Sequence, residues 1–300
     1  MVNPNLFQHL RVSIGTKCNW SCWYCFREGV DRENDFLEDT DSFSWLLKVL
    51  KKNFPIEYIR FTGGEPLLNI KIDQLINITK KCYVTNIGLT TNGTNIDKKI
   101  EKLVSSGLTS LAVHVENNHI SINEQIHVLD RIIRDYDISV RINLVALQSN
   151  VDFINNLINN TLTKNIKFQI LDLLPTNVSH EAFDREYLEL DNLISICQIQ
   201  RGFELICSTE NVKVFVKDKQ EIKFVKRWIS NTKSLFCTKD SPFHPLLLTS
   251  DFKIYWCNHY GAGFIDISKE VIMRSEPHLL KKINNALICR DKCFECKFKL

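Results

Sequence analysis

The sequence predicts an α/β fold in which a parallel sheet is covered by helices, and three observations point to it. Six β-like runs each lead into a stretch of helical period. The links between them are short, and the stretches richest in chemistry all follow the end of a β-like run. Right-handed crossovers would curl such a sheet into a barrel or leave it doubly wound, and periodicity alone does not choose between them.

Residues 10–16 alternate in polarity and end at a cysteine-rich loop, which reads as the first strand. Asp31–Asp41 is acidic and irregular and ends in candidate caps for a helix over 41–53. A strand over 57–61 runs into Gly63 and Gly64, and a helix follows over 71–81. The third strand covers 84–90, and a helix over 96–106 stops at Gly107. The fourth strand covers 108–115, the next helix 121–135 and the fifth strand 138–147. A short helix over 150–159 leads to the sixth strand, 166–173, which Pro175 closes. Beyond it, a helix over 184–200 gives way to short β-like pieces (203–207 and 212–216) and a basic segment to about 230. The lysine-rich piece Lys217–Lys226 reads as a solvated face.

Three hundred residues suffice for one large domain with a smaller appendage. A 44% hydrophobic, 24% charged composition is that of a globular protein, and a net charge of +3 is too small to argue for nucleic acid or an acidic membrane surface. No secretory leader pattern and no run of about eighteen apolar residues is visible, so a cytoplasmic protein is expected. Eleven cysteines in such a chain argue for metal or cluster binding, not a disulfide framework.

The densest chemistry lies at Cys18, Cys22 and Cys25. Three thiols at C-x3-C-x2-C spacing can hold three irons of a four-iron, four-sulfur cluster and leave one iron open to an outside ligand. Zinc, with His9 as the nearest fourth ligand, and a disulfide knot are the alternatives. Two further stretches follow β-like runs: Arg60 to Pro66, with Gly63-Gly64-Glu65-Pro66, and Leu89 to Thr94. Gly63 and Gly64 lack a Cβ and would let backbone approach a ligand closely. Glu65 offers a carboxylate for a charge-assisted hydrogen bond to an ammonium group.

Taken together, these three stretches closely resemble the radical S-adenosylmethionine (SAM) superfamily. The order Leu10 to Ile14, the cysteines, Thr62 to Leu68 and Leu89 to Thr94 looks most like the molybdopterin-cyclase branch, and the resemblance covers about residues 8–175. It implies a partial (β/α)6 TIM barrel, with chemistry at the carboxyl ends of the strands. It also implies a SAM-binding 4Fe-4S cluster on Cys18, Cys22 and Cys25, SAM itself, and reductive cleavage of SAM to a 5′-deoxyadenosyl radical that takes hydrogen from substrate. Tyr24 matches the family's aromatic position near the adenine. Gly63, Gly64 and Glu65 match the methionine-binding motif, and Asn92, a cofactor-binding candidate, lies in the third stretch that carries the resemblance. His114 and Glu116 stand where relatives often carry a serine and an aspartate contacting the ribose, and the histidine departs from that pattern. Alternation puts both on one strand face. Asn143 matches a SAM-binding asparagine of the fifth strand, and Gln169 on the sixth could face the cavity.

The C-terminal part carries its own cysteines. Cys237, Cys257, Cys293 and Cys296 supply four thiolates, enough for a fully ligated second 4Fe-4S cluster, with zinc as the alternative occupant. Residues 251–257 read as a hairpin arm delivering Cys257, which resembles the twitch/SPASM-like auxiliary-cluster domain. Cys289 is spare or replaces Cys237. Cys82, Cys197 and Cys207 lie on apolar elements and are expected to be buried small hydrophobes. The expected division is a radical SAM partial barrel over 1–190, a connecting, substrate-side segment over 191–232, and the small C-terminal iron–sulfur domain over 233–300.

The expected function is oxidation or bond formation on a biosynthetic peptide or small polar metabolite, with a flavodoxin or ferredoxin as electron donor. A GTP 3′,8-cyclase is the named alternative. It is disfavoured because the chain ends Lys297-Phe298-Lys299-Leu300 without a Gly-Gly tail, and because Cys237 is followed by Thr238, Lys239 and Asp240 in place of that enzyme's C-x2-C-x-Arg-x-Arg. A non-catalytic iron–sulfur or zinc protein is the alternative of another class, for which Gly63, Gly64 and Glu65 would be superfluous.

Overall fold

Strand β1 (His9–Ser13) delivers the chain into the cysteine loop, and helix α1 (Thr40–Asn53) follows it. The computed structural model describes residues 7–27, 35–116, 122–161, 165–175, 178–229, 234–235, 246–255 and 264–290. The Asp39 carboxylate caps α1 by accepting from Ser42 N at 2.9 Å, and this hydrogen bonding holds its pKa below the usual carboxylate value. Four further strand–helix pairs and a sixth strand then alternate as anticipated: β2 (Tyr58–Thr62), α2 (Ile72–Lys81), β3 (Asn86–Thr91), α3 (Ile96–Ser106), β4 (Ser110–His114), α4 (Ile122–Asp135), β5 (Ser139–Ala146), α5 (Val151–Asn160) and β6 (Lys167–Asp172).

After β6 the reading and the structure part. The helix expected over 184–200 is two, α6 (His180–Glu186) and α7 (Leu190–Arg201). Tyr187 breaks it by adopting extended backbone and forming an antiparallel bridge to Leu147. Then come β7 (Glu204–Ser208), β8 (Val212–Lys217) and β9 (Gln220–Val225), followed by the two-residue strands β10 (Trp228–Ile229) and β11 (Ser234–Leu235). The basic piece read as a solvated face is therefore largely strand β9. Lys213, Lys217 and Lys223 sit on a sheet whose Phe215, Ile222 and Phe224 are buried. The chain continues through β12 (Leu246–Thr249), β13 (Lys253–Tyr255), β14 (Phe264–Asp266), α8 (Ser268–Ile272) and α9 (Glu276–Arg290).

Contacts divide the chain into two compact units. One unit holds β1–β3, α1–α3, β12–β14, α8 and α9; the other holds Cys22–Cys25 with α4–α7 and β5–β11, and β4 begins in the first and ends in the second. In the first unit β1, β2 and β3 run parallel, with Arg11 opposite Arg60 and Arg60 opposite Gly88. Described strands of the C-terminal region join this sheet. β12 pairs in parallel with β1, and β13 and β14 extend the sheet antiparallel. All four residues of β12 are buried, so an apolar run too short to read alone becomes a central strand.

In the second unit β5, β6 and β9 run parallel, and β9, β8 and β7 form an antiparallel meander. Burial alternates along β5 and β6. Val140, Ile142, Leu144, Phe168 and Ile170 are buried, as are Leu129 and Ile132 of α4 and Leu157 and Ile158 of α5, while the odd-numbered residues between them are half-exposed. One face of this part of the sheet is thus core and the other polar. Cys82 is buried as expected, but Cys207 is exposed, because edge strand β7 leaves all five residues uncovered. The side chains of Cys197 and Cys289 lie outside the described residues.

Candidate active site

The chain leaves β1 with Ile14 N donating to Thr62 O at 3.0 Å and enters a loop without regular structure. Within it Trp20 N donates to Cys18 Sγ at 3.4 Å, and Cys25 N to Cys22 O at 3.1 Å. Cys18 and Cys25 are exposed, Cys22 is half-buried, and none of the three forms a disulfide. Three accessible thiols on one short loop are the donor chemistry that a four-iron cluster with one open iron requires.

The Gly63-Gly64-Glu65 stretch holds that loop in place. Gly64 N donates to Gly15 O and Glu65 N to Lys17 O, both at 2.8 Å. Gly63 has φ +133°, a backbone conformation that favours glycine, and a Cβ on Gly64 would overlap the Lys17 carbonyl. In this structure the missing Cβ atoms make room for the backbone just before Cys18.

Glu65 is 1% exposed and caps the turn that follows it, its Oε1 accepting from Leu67 N at 2.8 Å. The same oxygen accepts from Thr91 Oγ1 at 2.6 Å, and Oε2 accepts from Asn92 N at 2.7 Å. Burial raises its pKa, and these three hydrogen bonds oppose the shift. A carboxylate has about four acceptor positions, so one is left on Oε2. Asn92 is buried in turn. Its Nδ2 donates to Asn19 Oδ1 at 2.8 Å, its Oδ1 accepts from Thr94 N at 3.0 Å, and Asn19 Nδ2 donates to Thr94 Oγ1 at 3.2 Å. A continuous network therefore joins the cysteine loop, the Gly-Gly-Glu stretch and the end of β3.

Within the second unit, Tyr24 meets the end of β4. Its hydroxyl lies 2.8 Å from His114 Nε2 and donates a short hydrogen bond to Glu116 Oε1, while Glu116 Oε2 is 3.6 Å from Cys22 Sγ. Burial, together with Glu116, holds the Tyr24 hydroxyl protonated far above its ordinary range. His114 Nδ1 faces Asn143 O at 3.2 Å, and a carbonyl only accepts, so Nδ1 carries a proton. Tyr24 has one proton for two neighbours. Cys22, His114 and Glu116 also bring a sulfur, a nitrogen and an oxygen within 4.8 Å of one another, a grouping able to hold a metal ion.

The structure thus joins Tyr24, His114, Glu116, Cys22 and the Asn143 backbone in one cluster, and Glu65 and Asn92 in another. Cys237, Cys257, Cys293 and Cys296 lie outside the described residues. Sequence reasoning missed Asn19 and Thr91, although both sit inside the stretches it singled out.

The sequence profile of the radical SAM superfamily matches residues 12–166. Among curated proteins, the GTP 3′,8-cyclase of Clostridium botulinum is 27% identical over 301 residues, covering 93% of this chain and 89% of that protein. The probable GTP 3′,8-cyclase of Methanocaldococcus jannaschii is 26% identical over 259 residues, covering 81% and 85%. Among solved structures, Streptococcus suis SuiB bound to its precursor peptide SuiA superposes with a TM-score of 0.61 at 15% identity; 88% of this chain matches 64% of SuiB. The anSMEcpe structure with bound AdoMet gives a TM-score of 0.57 at 16% identity, covering 97% of this chain and 86% of that one. These likenesses show the α/β fold.

Proposed function

Because the chain belongs to the radical SAM superfamily, and is therefore an enzyme using a 4Fe-4S cluster and S-adenosylmethionine, we propose that Cys18, Cys22 and Cys25 hold that cluster. The same proposal gives SAM to Gly63, Gly64, Glu65, Asn92, Tyr24, His114, Glu116 and Asn143. The observation that carries this reading is the bracing of the cysteine loop by the Gly-Gly-Glu stretch: two backbone hydrogen bonds of 2.8 Å and two glycines whose Cβ positions the loop fills. A loop that must present three thiols to a cluster needs such rigidity.

Bound there, the cluster and SAM supply the radical chemistry that removes hydrogen from substrate. The chain's own residues bind and orient. The remaining acceptor position on Glu65 suits an ammonium group, and its other three keep the carboxylate fixed. Tyr24, protonated at all physiological pH, keeps Glu116 and His114 in one geometry at the strand end. Anaerobic incubation with SAM and dithionite is expected to give 5′-deoxyadenosine from the wild type and none from Cys22→Ala. Cleavage retained in Cys22→Ala would overturn the assignment.

For the substrate, we favour a biosynthetic peptide or small polar metabolite, oxidised or joined with the help of a second cluster on Cys237, Cys257, Cys293 and Cys296. Electrons would come from a flavodoxin or ferredoxin. GTP 3′,8-cyclisation is the second reading, supported by the curated relatives that carry that name over most of their length. Against it stand Thr238, Lys239 and Asp240 after Cys237, where a basic C-x-Arg-x-Arg continuation would be expected. Supplying GTP with SAM and reductant decides between them: GTP recovered unchanged keeps the first reading, and its consumption replaces it with the second.

A further inference from the structure

Cys22, His114 and Glu116 all belong to the second unit, and together they offer more than a cluster ligand with two SAM-binding neighbours. They bring one sulfur, one nitrogen and one oxygen within 4.8 Å of one another. Thiolate, imidazole and carboxylate are each zinc ligands. Their bonds to zinc are about 2.0–2.3 Å long, so a tetrahedral ion needs its donors roughly 3.3–3.6 Å apart. Cys22 Sγ and Glu116 Oε2, at 3.6 Å, already stand at that spacing. All three residues are half-buried, so an ion can reach them from solvent.

The surroundings hold these donors as metal ligands are held. His114 Nδ1 faces Asn143 O at 3.2 Å, which keeps a proton on Nδ1 and leaves Nε2 to ligate. A metal-bound imidazole is ordinarily oriented by such a bond from its other nitrogen. Glu116 is oriented in the same manner: its Oε1 accepts from the Tyr24 hydroxyl, and its Oε2 is turned to Cys22 Sγ. Tyr24 itself is no ligand, because burial and Glu116 keep its hydroxyl protonated. That hydroxyl lies 2.8 Å from His114 Nε2, so an entering ion takes over this side of the ring from it. A sulfur donor selects against magnesium and calcium, and zinc binds such a mixed site more tightly than ferrous iron does.

We propose that Cys22, His114 and Glu116 bind one zinc ion in the chain that lacks its cluster, with water in the fourth position. The Cys22 thiol gives its proton to solvent as the zinc–sulfur bond forms. The site stands on the geometry alone, and its consequence rests on the radical SAM reading. Cys22 cannot ligate zinc and a cluster iron together, so zinc held here blocks cluster loading until it is removed.

Cobalt(II), a spectroscopic stand-in for zinc, tests the site on the cluster-free full chain under anaerobic conditions. The three loop cysteines are themselves a competing site, so binding is measured in Cys18→Ser/Cys25→Ser, which keeps only Cys22 of those thiols. This variant is expected to bind one cobalt per chain in the micromolar range or tighter, and zinc should displace it. The bound ion should show a thiolate-to-cobalt charge-transfer band and the intense visible bands of tetrahedral cobalt. Adding His114→Ala or Glu116→Gln should weaken binding about tenfold or more. A thermal melt of each variant checks that it folds, and either substitution suffices if the other fails to fold. No cobalt bound by the double-serine variant, or affinity unchanged by both further substitutions, would overturn the site. Reconstitution is scored separately on the wild type: zinc added first should lower the iron taken up, and undiminished uptake strikes the blocking role. Cleavage of SAM by Cys22→Ala strikes the function proposed above and leaves the zinc site standing.

Discussion

Gly64 has a structural duty that is separate from any ligand. Its amide ties to Gly15 O, and the carbonyl of Lys17, one residue before Cys18, occupies the space a side chain would need. A methyl group at this position must push the cysteine loop away, because the obstructing atoms are backbone and cannot rotate aside. Gly64→Ala is expected to destabilise the protein by about 1–3 kcal/mol, as overpacking does. It should also reduce the iron retained on the loop after reconstitution, which absorbance near 400 nm (roughly the region where thiolate-ligated clusters absorb) reports. An alanine variant with wild-type melting and wild-type iron would show that the loop does not depend on this contact. Glu65 belongs to the same argument. Its motif was plain in the sequence, but its three internal hydrogen bonds were not, because Thr91 and Asn92 reach it only through the pairing of β2 with β3. His114 and Glu116 were paired correctly by alternation along β4. Their meeting with Tyr24, ninety-odd positions earlier, needed the folded chain.

At the level of elements, the end of β6 carries an anchor that no periodicity announced. Asp172 is fully buried, and its carboxylate accepts from Arg227 N at 2.8 Å, Arg227 Nε at 3.1 Å and Trp228 N at 2.7 Å. Burial pushes its pKa up, and the Arg227 guanidinium with the two backbone amides works against that. The pair fastens the chain leaving β9 to the carboxyl end of β6. Removing one partner leaves the other charge buried and unpaired, so Asp172→Ala is expected to cost about 3–5 kcal/mol. Replacing both by apolar residues of similar size, Asp172→Leu with Arg227→Met, should recover most of that. Urea midpoints of the single and double variants measure the difference; a double variant as unstable as the single one would show that specific hydrogen bonding, not uncompensated charge, sets the cost. The elements through β6 were legible because each spans a full run of period two or 3.6. Those after it were less so, because β9 carries its alternation within a lysine-rich stretch, and β12 is a short run of three leucines and a threonine whose place comes from pairing with β1.

For the whole molecule, the return of β12 to β1 changes how the C-terminal cysteines should be weighed. The described residues that flank Cys257, in β12–β14, and those of α9 that precede Cys293, belong to the same compact unit as the cysteine loop's entry strand. Cys237, Cys257, Cys293 and Cys296 lie outside the described residues, and four thiolates suffice for a second cluster of full ligation. After anaerobic reconstitution the wild type is expected to hold about eight irons and eight labile sulfides, as two four-iron clusters require. Substituting all four of these cysteines by serine should leave about four of each, with 5′-deoxyadenosine still formed, because Cys18, Cys22 and Cys25 are untouched. A second redox centre suits a substrate that loses two electrons, one to the radical step and one to the auxiliary cluster. If the wild type itself holds only about four irons, that second electron has no acceptor within the chain. Redox-neutral chemistry on the substrate would then take the place of oxidation.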